Sequence, residues 1–134
     1  MVNFGPKATV PEKYQGRKLY EHNPSVTLMR TTKDECRQIG EFIVRKIKST
    51  AKDPSQVQIR IPVGGVSMIA TSGAPFEDQA ADRELIDTVK NGLKGSGVRI
   101  VEDKRDINDG GFAVDITEQL MALINNRTGD QQGH

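Results

Sequence analysis

Apolar residues recur at helical intervals in two long stretches of the chain. In the first stretch they lie three, four and four residues apart: Cys36, Ile39, Ile43 and Ile47. This pattern predicts a helix over about 33–49, and Thr32 followed by Glu35 has the spacing of a capping box at its start. In the second stretch they repeat every four residues: Ala81, Leu85, Val89 and Leu93. This repeat predicts a helix over about 78–94, with Asp78 as its N-cap.

Three shorter stretches have the pattern of strands. Residues 25–32 are rich in apolar and β-branched side chains, and residues 56–63 alternate between apolar and polar. Residues 98–102, VRIVE, form the third stretch. A third helix is predicted within 106–126, where Asp109 is the expected cap. Strands and helices therefore alternate, in the order β-α-β-α-β-α.

This alternation predicts an α/β fold of the three-layer, Rossmann-like kind, with a mainly parallel sheet joined by right-handed crossovers. A sheet of three strands leaves two edges open. Since open edges are usually paired or covered, we expect a partner to complete the sheet. The α/β domain is assigned to residues 25–127. Residues 1–24 hold three of the six prolines and are predicted to form an extended arm, and residues 128–134 a disordered tail.

Composition and charge narrow the range of partners. The 134 residues are 35% hydrophobic and 28% charged, and their net charge is only +1, so no field of one sign points to nucleic acid. Tryptophan is absent and aromatic residues make up 4%, which argues against base-stacking platforms. The longest apolar run, residues 120–124, is too short for a membrane span. A single cysteine, Cys36, favours a reducing, cytoplasmic setting.

Polar residues and glycines follow the predicted strands, at the sheet edge where parallel sheets bind their ligands. We expect a polar, anion-tolerant site there, because glycine lets the backbone approach a ligand closely and offer its N–H groups. The candidate ligand-binding residues are Arg30, Thr31, Thr32, Gly64, Gly65, Ser67, Asn108 and Asp109, with His22 as an additional candidate. No catalytic residue or metal ligand is assigned, because the sequence has neither common phosphate fingerprint, no CxxC and no histidine pair at ligand spacing.

Each candidate also has a purely structural interpretation. The glycine pair could form only a tight turn, and Thr32 and Asp109 could only cap helices. Arg30 could pair with any carboxylate instead of a bound anion. Cys36 lies on the apolar stripe of its helix, which favours a buried thiol over a nucleophile.

Four blocks of the sequence together resemble one known family. They are GRKLYEHNPSVTLMRTT (16–32), PVGGVSMI (62–69), GAPFEDQAADRELID (73–87) and DINDGGFA (106–113). Their order and spacing are similar to the tomato mosaic virus resistance protein-like (Tm-one-like) ATP-binding family, long catalogued as an uncharacterised protein family. The resemblance implies two Rossmann-like lobes in tandem, of which this chain looks like the C-terminal part of the second. Because the family's nucleotide binding is attributed to the first lobe, ATP and Mg²⁺ are expected for full-length members rather than for this chain alone.

Two functions fit these observations. One is a C-terminal ligand-binding module whose candidate residues converge in one pocket for a small anionic ligand. The other is a non-catalytic assembly module that forms homo-oligomers or docks to a separate first lobe, and whose polar residues serve as caps and turns. A third, an enzyme with His22 or Asp109 as proton carrier, requires His22 and Ser67 in one pocket.

Overall fold

The structure, a computed structural model, describes the backbone of residues 1–129 and the side chains of residues 1–125. Within these residues there are five strands and three α-helices: β1 (Val2–Phe4), β2 (Leu19–Asn23), β3 (Val26–Met29), α1 (Lys33–Thr50), β4 (Gln58–Pro62), α2 (Gln79–Leu93), β5 (Arg99–Asp103) and α3 (Gly110–Gly129). The protein therefore has a mixed α/β fold. Of the tail expected at 128–134, the first two residues continue α3 and the others lie outside the described part.

The helix predictions are confirmed. Hydrogen bonds from side chains close in the sequence fix where α1 and α2 begin. Thr32 Oγ1 accepts a hydrogen bond from Glu35 N at 3.2 Å, and Thr32 N donates to Glu35 Oε2 at 2.8 Å, which completes the capping box. Asp78 Oδ1 accepts from Ala81 N at 3.0 Å and caps α2. Asp109 Oδ1 likewise accepts from Phe112 N at 3.0 Å at the start of α3.

The strands form two separate sheets. β4 and β5 pair in parallel, with Arg60 opposite Val101, as the sequence predicts. β3 instead pairs on both sides with antiparallel strands, in the order β1-β3-β2. The expectation of a mainly parallel sheet is therefore corrected: parallel pairing holds for β4 and β5. A Rossmann-like arrangement stays a prediction.

The antiparallel sheet arises because residues 1–24, expected to be an extended arm, supply β1 and β2. These strands have three and five residues, too few for a clear period, and the second carries the polar run Glu21, His22 and Asn23. The segment is also tied to α1, since Arg17 Nη2 donates to Glu35 Oε2 at 2.7 Å. This bond is the main cause that lowers the pKa of Glu35. The division of the chain at residue 24 stays a prediction.

The core lies where α1 and α2 meet each other and the strands. Phe76, Ala81 and Leu93 are almost fully buried, and so is Cys36, which confirms the expectation of a buried thiol. The two helices approach closely at glycines. A Cβ added at Gly40 would lie 2.9 Å from Thr88 side-chain atoms, and one added at Gly92 would lie 2.6 Å from Val44 Cγ2. Glycine at these positions therefore sets the spacing between the helices.

α3 leaves more large apolar side chains exposed than α1 or α2 does. Phe112 is buried at its amino end, but several large apolar side chains further along are exposed: Val114, Ile116, Leu120, Met121 and Ile124. In residues 1–129, no helix combines the length and the apolar character that crossing a membrane requires.

Candidate functional site

A cleft of about 370 Å³ opens at the carboxyl end of β4, beside the amino end of α2. Gly64 and Gly65 form one wall, and Glu77, Gln79 and Asp82 form the other. The cleft therefore lies at the sheet edge where the sequence places the site. It contains two of the predicted residues.

The two glycines are required by the packing of the chain itself. A Cβ on Gly64 would lie 2.4 Å from the carbonyl oxygen of Lys104, and one on Gly65 would lie 2.8 Å from Thr71 Cγ2. Gly64 N donates to the carbonyl of Arg105 at 3.1 Å, and Ile107 N donates to the carbonyl of Gly65 at 2.9 Å. Residues 104–105 crowd Gly64 and Thr71 crowds Gly65, so packing within the chain explains both glycines without a ligand.

Arg30 is buried behind the wall of the cleft, with 5% of its surface exposed. Its Nε donates to the carbonyl of Phe76 at 3.0 Å, and its Nη2 donates to Asp82 Oδ1 at 2.5 Å and to the carbonyl of Asp78 at 3.3 Å. Thr31 is also buried, and its hydroxyl accepts from Cys36 Sγ at 3.4 Å. Arg30 therefore joins the end of β3 to the start of α2, and its donors are engaged inside the protein.

The other candidates lie elsewhere. Thr32 and Asp109 are the helix caps described above, and Asn108 N donates to Asp106 Oδ1 at 2.8 Å in a turn. Ser67 precedes a short helical turn, where its carbonyl accepts from Ala70 N at 2.9 Å. His22 is exposed on β2, with its ring 6.4 Å from that of Tyr20. The residues that line the cleft include neither His22 nor Ser67.

Charged residues on the α2 side of the cleft are absent from the candidates predicted from the sequence. Glu77, Asp82 and Arg83 line it. A hydrogen bond from Gly73 N to Glu77 Oε2, at 2.7 Å, is the main cause that lowers the pKa of that carboxyl. In the sequence these acidic residues surround the start of α2, where a helix start alone explains them. Two acidic groups beside one arginine make the cleft polar rather than strongly cationic.

A second charged cluster links β4, β5 and α3. Arg105 Nε donates to Asp103 Oδ1 at 2.9 Å, and Arg105 Nη2 also donates to Asp115 Oδ2 on α3. The bond from Arg105 is the main cause that lowers the pKa of Asp103 to about 2. Arg60 Nη1 lies 4.0 Å from both carboxylates, while its buried Nε has no hydrogen-bond partner among the described residues. In residues 1–129, no three His, Cys, Asp or Glu side chains are grouped to hold a metal ion.

Beside this cluster, a groove of about 440 Å³ runs between β4 and α3. Gln58 and Arg60 of β4 line one side. The other side is the apolar surface of α3, formed by Phe112, Ile116, Leu120 and Leu123. The groove is thus mostly apolar, with one arginine at its β4 side.

Comparison with known proteins identifies the family. Residues 1–124 match the C-terminal domain of an uncharacterised protein family, UPF0261. The chain belongs to this family. A UPF0261 protein of Clostridium tetani is 42% identical over 124 residues, which are 92% of this chain and 30% of that protein. A UPF0261 protein of Mesorhizobium japonicum is 44% identical over 84% of this chain and 28% of its own length.

A plant protein is similar as well. The ToMV resistance protein Tm-1(GCR237) of Solanum lycopersicum is 36% identical over 92% of this chain and 16% of its own length. The resemblance to Tm-one-like proteins is thereby confirmed. This UPF0261 chain spans less than a third of the length of each of these relatives.

Proposed function

We propose that this chain is a non-catalytic assembly module that docks onto the remaining part of a longer UPF0261 protein. The observation that carries the proposal is the apolar surface of α3. Leu120 and Met121 are each 58% exposed, and Ile124 is 53% exposed. Contiguous apolar surface of this kind marks interaction sites in soluble proteins.

The exposed apolar residues form one continuous face of α3. Ala113, Thr117, Leu120 and Ile124 follow one another at spacings of four, three and four, with Val114 and Met121 beside them. Phe112 and Leu123 point to the groove beside β4, so the exposed face continues the covered one around the helix. The opposite side carries Glu118 and Asp115. α3 thus has more apolar surface than the described part of this chain covers.

The roles of the polar candidates support the same proposal. Thr32 and Asp109 cap helices, Asn108 forms a turn, and Arg30 is bonded internally. These are the roles expected of an assembly module. The length of the relatives supports this choice of partner, because most of the Clostridium tetani protein lies outside the 30% that this chain matches.

The test is the solution mass of the chain, measured by light scattering, alone and mixed with the part of the Clostridium tetani protein outside the matched stretch. We expect a complex of the two. Leu120→Glu places a charge on the apolar face and should abolish it. Ala122→Glu adds the same charge on the opposite side of α3 and should leave the complex unchanged.

Other outcomes would change the assignment. If the chain alone forms a dimer that Leu120→Glu dissociates, the module assembles with a second copy instead. If there is no complex and no dimer, or if both variants behave alike, the assembly role is contradicted.

A second function is favoured by the cleft at the end of β4. Its position outside the carboxyl end of a parallel strand is where open sheets bind small molecules. Gln79 and Ala80, at the amino end of α2, line it, and the first N–H groups of a helix attract anions. The module would then bind a small anionic ligand, with Gly64, Gly65 and Arg83 in its wall.

Thermal unfolding with and without ATP and Mg²⁺, and separately with inorganic phosphate, tests this second function. A ligand at one hundred times its Kd adds about 2.7 kcal/mol of stability, so a clear rise in Tm is expected. Arg83→Gln should remove the rise, while Arg99→Gln, on exposed β5 surface, should not. An unchanged Tm at millimolar ligand would contradict the ligand-binding role.

A further inference from the structure

We infer that the partner of this module supplies an extended strand that pairs with the free edge of β4, beneath α3. The inference rests on the proposed assembly function and specifies how the two parts join. It is carried by three features of one region: the unpaired edge of β4, the groove beside it, and the buried Nε atom of Arg60, which has no hydrogen-bond partner among the described residues.

The hydrogen bonds of β4 show which edge is free. The carbonyl of Val57 accepts from Arg99 N at 3.1 Å, and Val63 N donates to the carbonyl of Asp103 at 2.8 Å. Backbone groups of successive residues in a strand point to opposite edges. Since the odd-numbered residues bond to β5, the N–H and C=O groups of Gln58 and Arg60 point to the outer edge.

This outer edge has no partner within residues 1–129. Neither Gln58 nor Arg60 takes part in a backbone hydrogen bond on that side. β3 cannot supply one, because both of its own edges pair with β1 and β2. Pro62 lies at the end of the free edge, and proline in sheets is confined to such edges because it has no N–H to donate.

The groove provides room and chemistry for a strand. It runs beside Gln58 and Arg60, and its far wall is the apolar side of α3. A strand placed about 4.8 Å from β4 would direct every second side chain toward Ile116 and Leu123. Arg60 adds a requirement, because its buried Nε has no acceptor among the residues that the structure describes. The incoming strand is therefore alternately apolar and brings an oxygen acceptor, a carbonyl or a carboxylate, close to Arg60.

The outer edge of β5 is a poorer template. Its strand carries Arg99 and Glu102 at exposed positions, and Glu102 Oε1 accepts a hydrogen bond from Lys90 Nζ at 3.0 Å. Exposed charged side chains along an edge discourage further strand pairing, whereas the side chain of Arg60 on β4 is only 17% exposed.

A second copy is also a poor source of the strand. If two copies of β4 paired antiparallel about a two-fold axis at the centre of the strand, Arg60 would lie opposite Arg60. Like charges directly opposite each other in a sheet are destabilising. The strand is therefore assigned to the part of the longer family members that lies outside the matched stretch, which is most of the Clostridium tetani protein.

The experiment uses the whole chain and the unmatched part of the Clostridium tetani protein as the probe. Amide hydrogen exchange is followed by NMR at Gln58 and Arg60, and at Ile100 and Glu102, whose amides point to the outer edge of β5. On complex formation we expect exchange at Gln58 and Arg60 to slow by about tenfold or more, and exchange at the β5 pair to stay unchanged.

A variant pair isolates the edge hydrogen bond. Gln58→Pro removes an N–H that faces the outer edge, and the preceding Val57 is already extended, with φ −109° and ψ 126°, as a residue before proline requires. We expect Gln58→Pro to weaken the complex by about three- to tenfold, the loss of one hydrogen bond. Gln58→Thr changes the same side chain but keeps the N–H, so it should weaken the complex less than Gln58→Pro does.

Each remaining outcome overturns the inference. If a complex forms without protection of Gln58 and Arg60, the assembly function stands and the proposed strand pairing is wrong. Protection of Ile100 and Glu102 instead places the strand on β5, and protection of the β4 amides in the chain alone assigns it to a second copy. If no complex forms, both the strand and the assembly function fail.

Discussion

The helices α1 and α2 on one hand, and α3 on the other, show two different relations between an apolar pattern and its burial. α1 and α2 pack against each other so closely that Gly40 and Gly92 leave no room for a methyl group. α3 carries apolar side chains over a wider arc, and those at Leu120, Met121 and Ile124 are more than half exposed. An apolar pattern therefore predicts that a helix will be covered, but it does not identify what covers it.

The largest effect on stability is expected at Arg30, which joins the end of β3 to the start of α2. Arg30→Met should lower the free energy of unfolding by about 3–5 kcal/mol, because it leaves a mostly buried Asp82 without its cation. Urea unfolding of the parent and the variant measures the loss. Arg37→Met is the control, since it removes two ion pairs from the exposed surface of α1 and should have a much smaller effect. Equal losses in the two variants would show that Arg30 does not lock α2 to β3.

A smaller effect is expected where α1 touches α2. Gly92→Ala places a methyl group against Val44, and overpacking of this kind costs about 1–3 kcal/mol. The helix propensity of alanine recovers up to about 1 kcal/mol of this cost. Thermal unfolding should therefore show a modest net loss, which Val44→Ala in the same chain partly reverses. Gly110→Ala, at the start of α3 with no atom within 4 Å of the added Cβ, should cause no loss.

The smallest effect on stability is expected at the charged link between β5 and α3, and it depends on pH. The pKa of Asp103 is lowered from 3.8 to about 2, so its stabilising contribution is complete above about pH 4 and is lost as the pH falls toward 2. Tm measured from pH 6 to pH 2 should fall more steeply below pH 4 in the parent than in Asp103→Asn. Parallel curves would mean that the bond to Arg105 adds nothing to stability.

Local features of the sequence allowed the helices to be predicted. The capping box at Thr32 and Glu35, the cap at Asp78 and the four-residue repeats each involve residues within one or two helical turns of each other. The alternation at 56–63 predicted β4 as well, because it is also a pattern of residues that are close in the sequence. The short strands β1 and β2 were missed, because their stability comes from pairing with β3 rather than from a pattern of their own.

The candidate site was predicted less well, because its determinants are distant in the chain. Gly64 is required by the carbonyl of Lys104, forty residues later, and Arg30 is engaged by Asp82, fifty-two residues later. A sequence pattern shows that a glycine or an arginine stands at a strand end. It does not show which distant backbone or carboxylate occupies the space that a ligand would need.

The placement of the two tyrosines makes one half of the molecule visible to optical spectroscopy. The chain has no tryptophan, so its intrinsic fluorescence comes from Tyr14 and Tyr20. Both belong to residues 1–24, where the ring of Tyr14 lies 5.7 Å from that of Phe4 and the ring of Tyr20 lies 6.1 Å from that of Phe76. Ultraviolet emission therefore reports on the antiparallel sheet and its contact with the start of α2. α3 contains neither tyrosine nor tryptophan, so the emission of a dye attached to this helix would not overlap with intrinsic fluorescence from it.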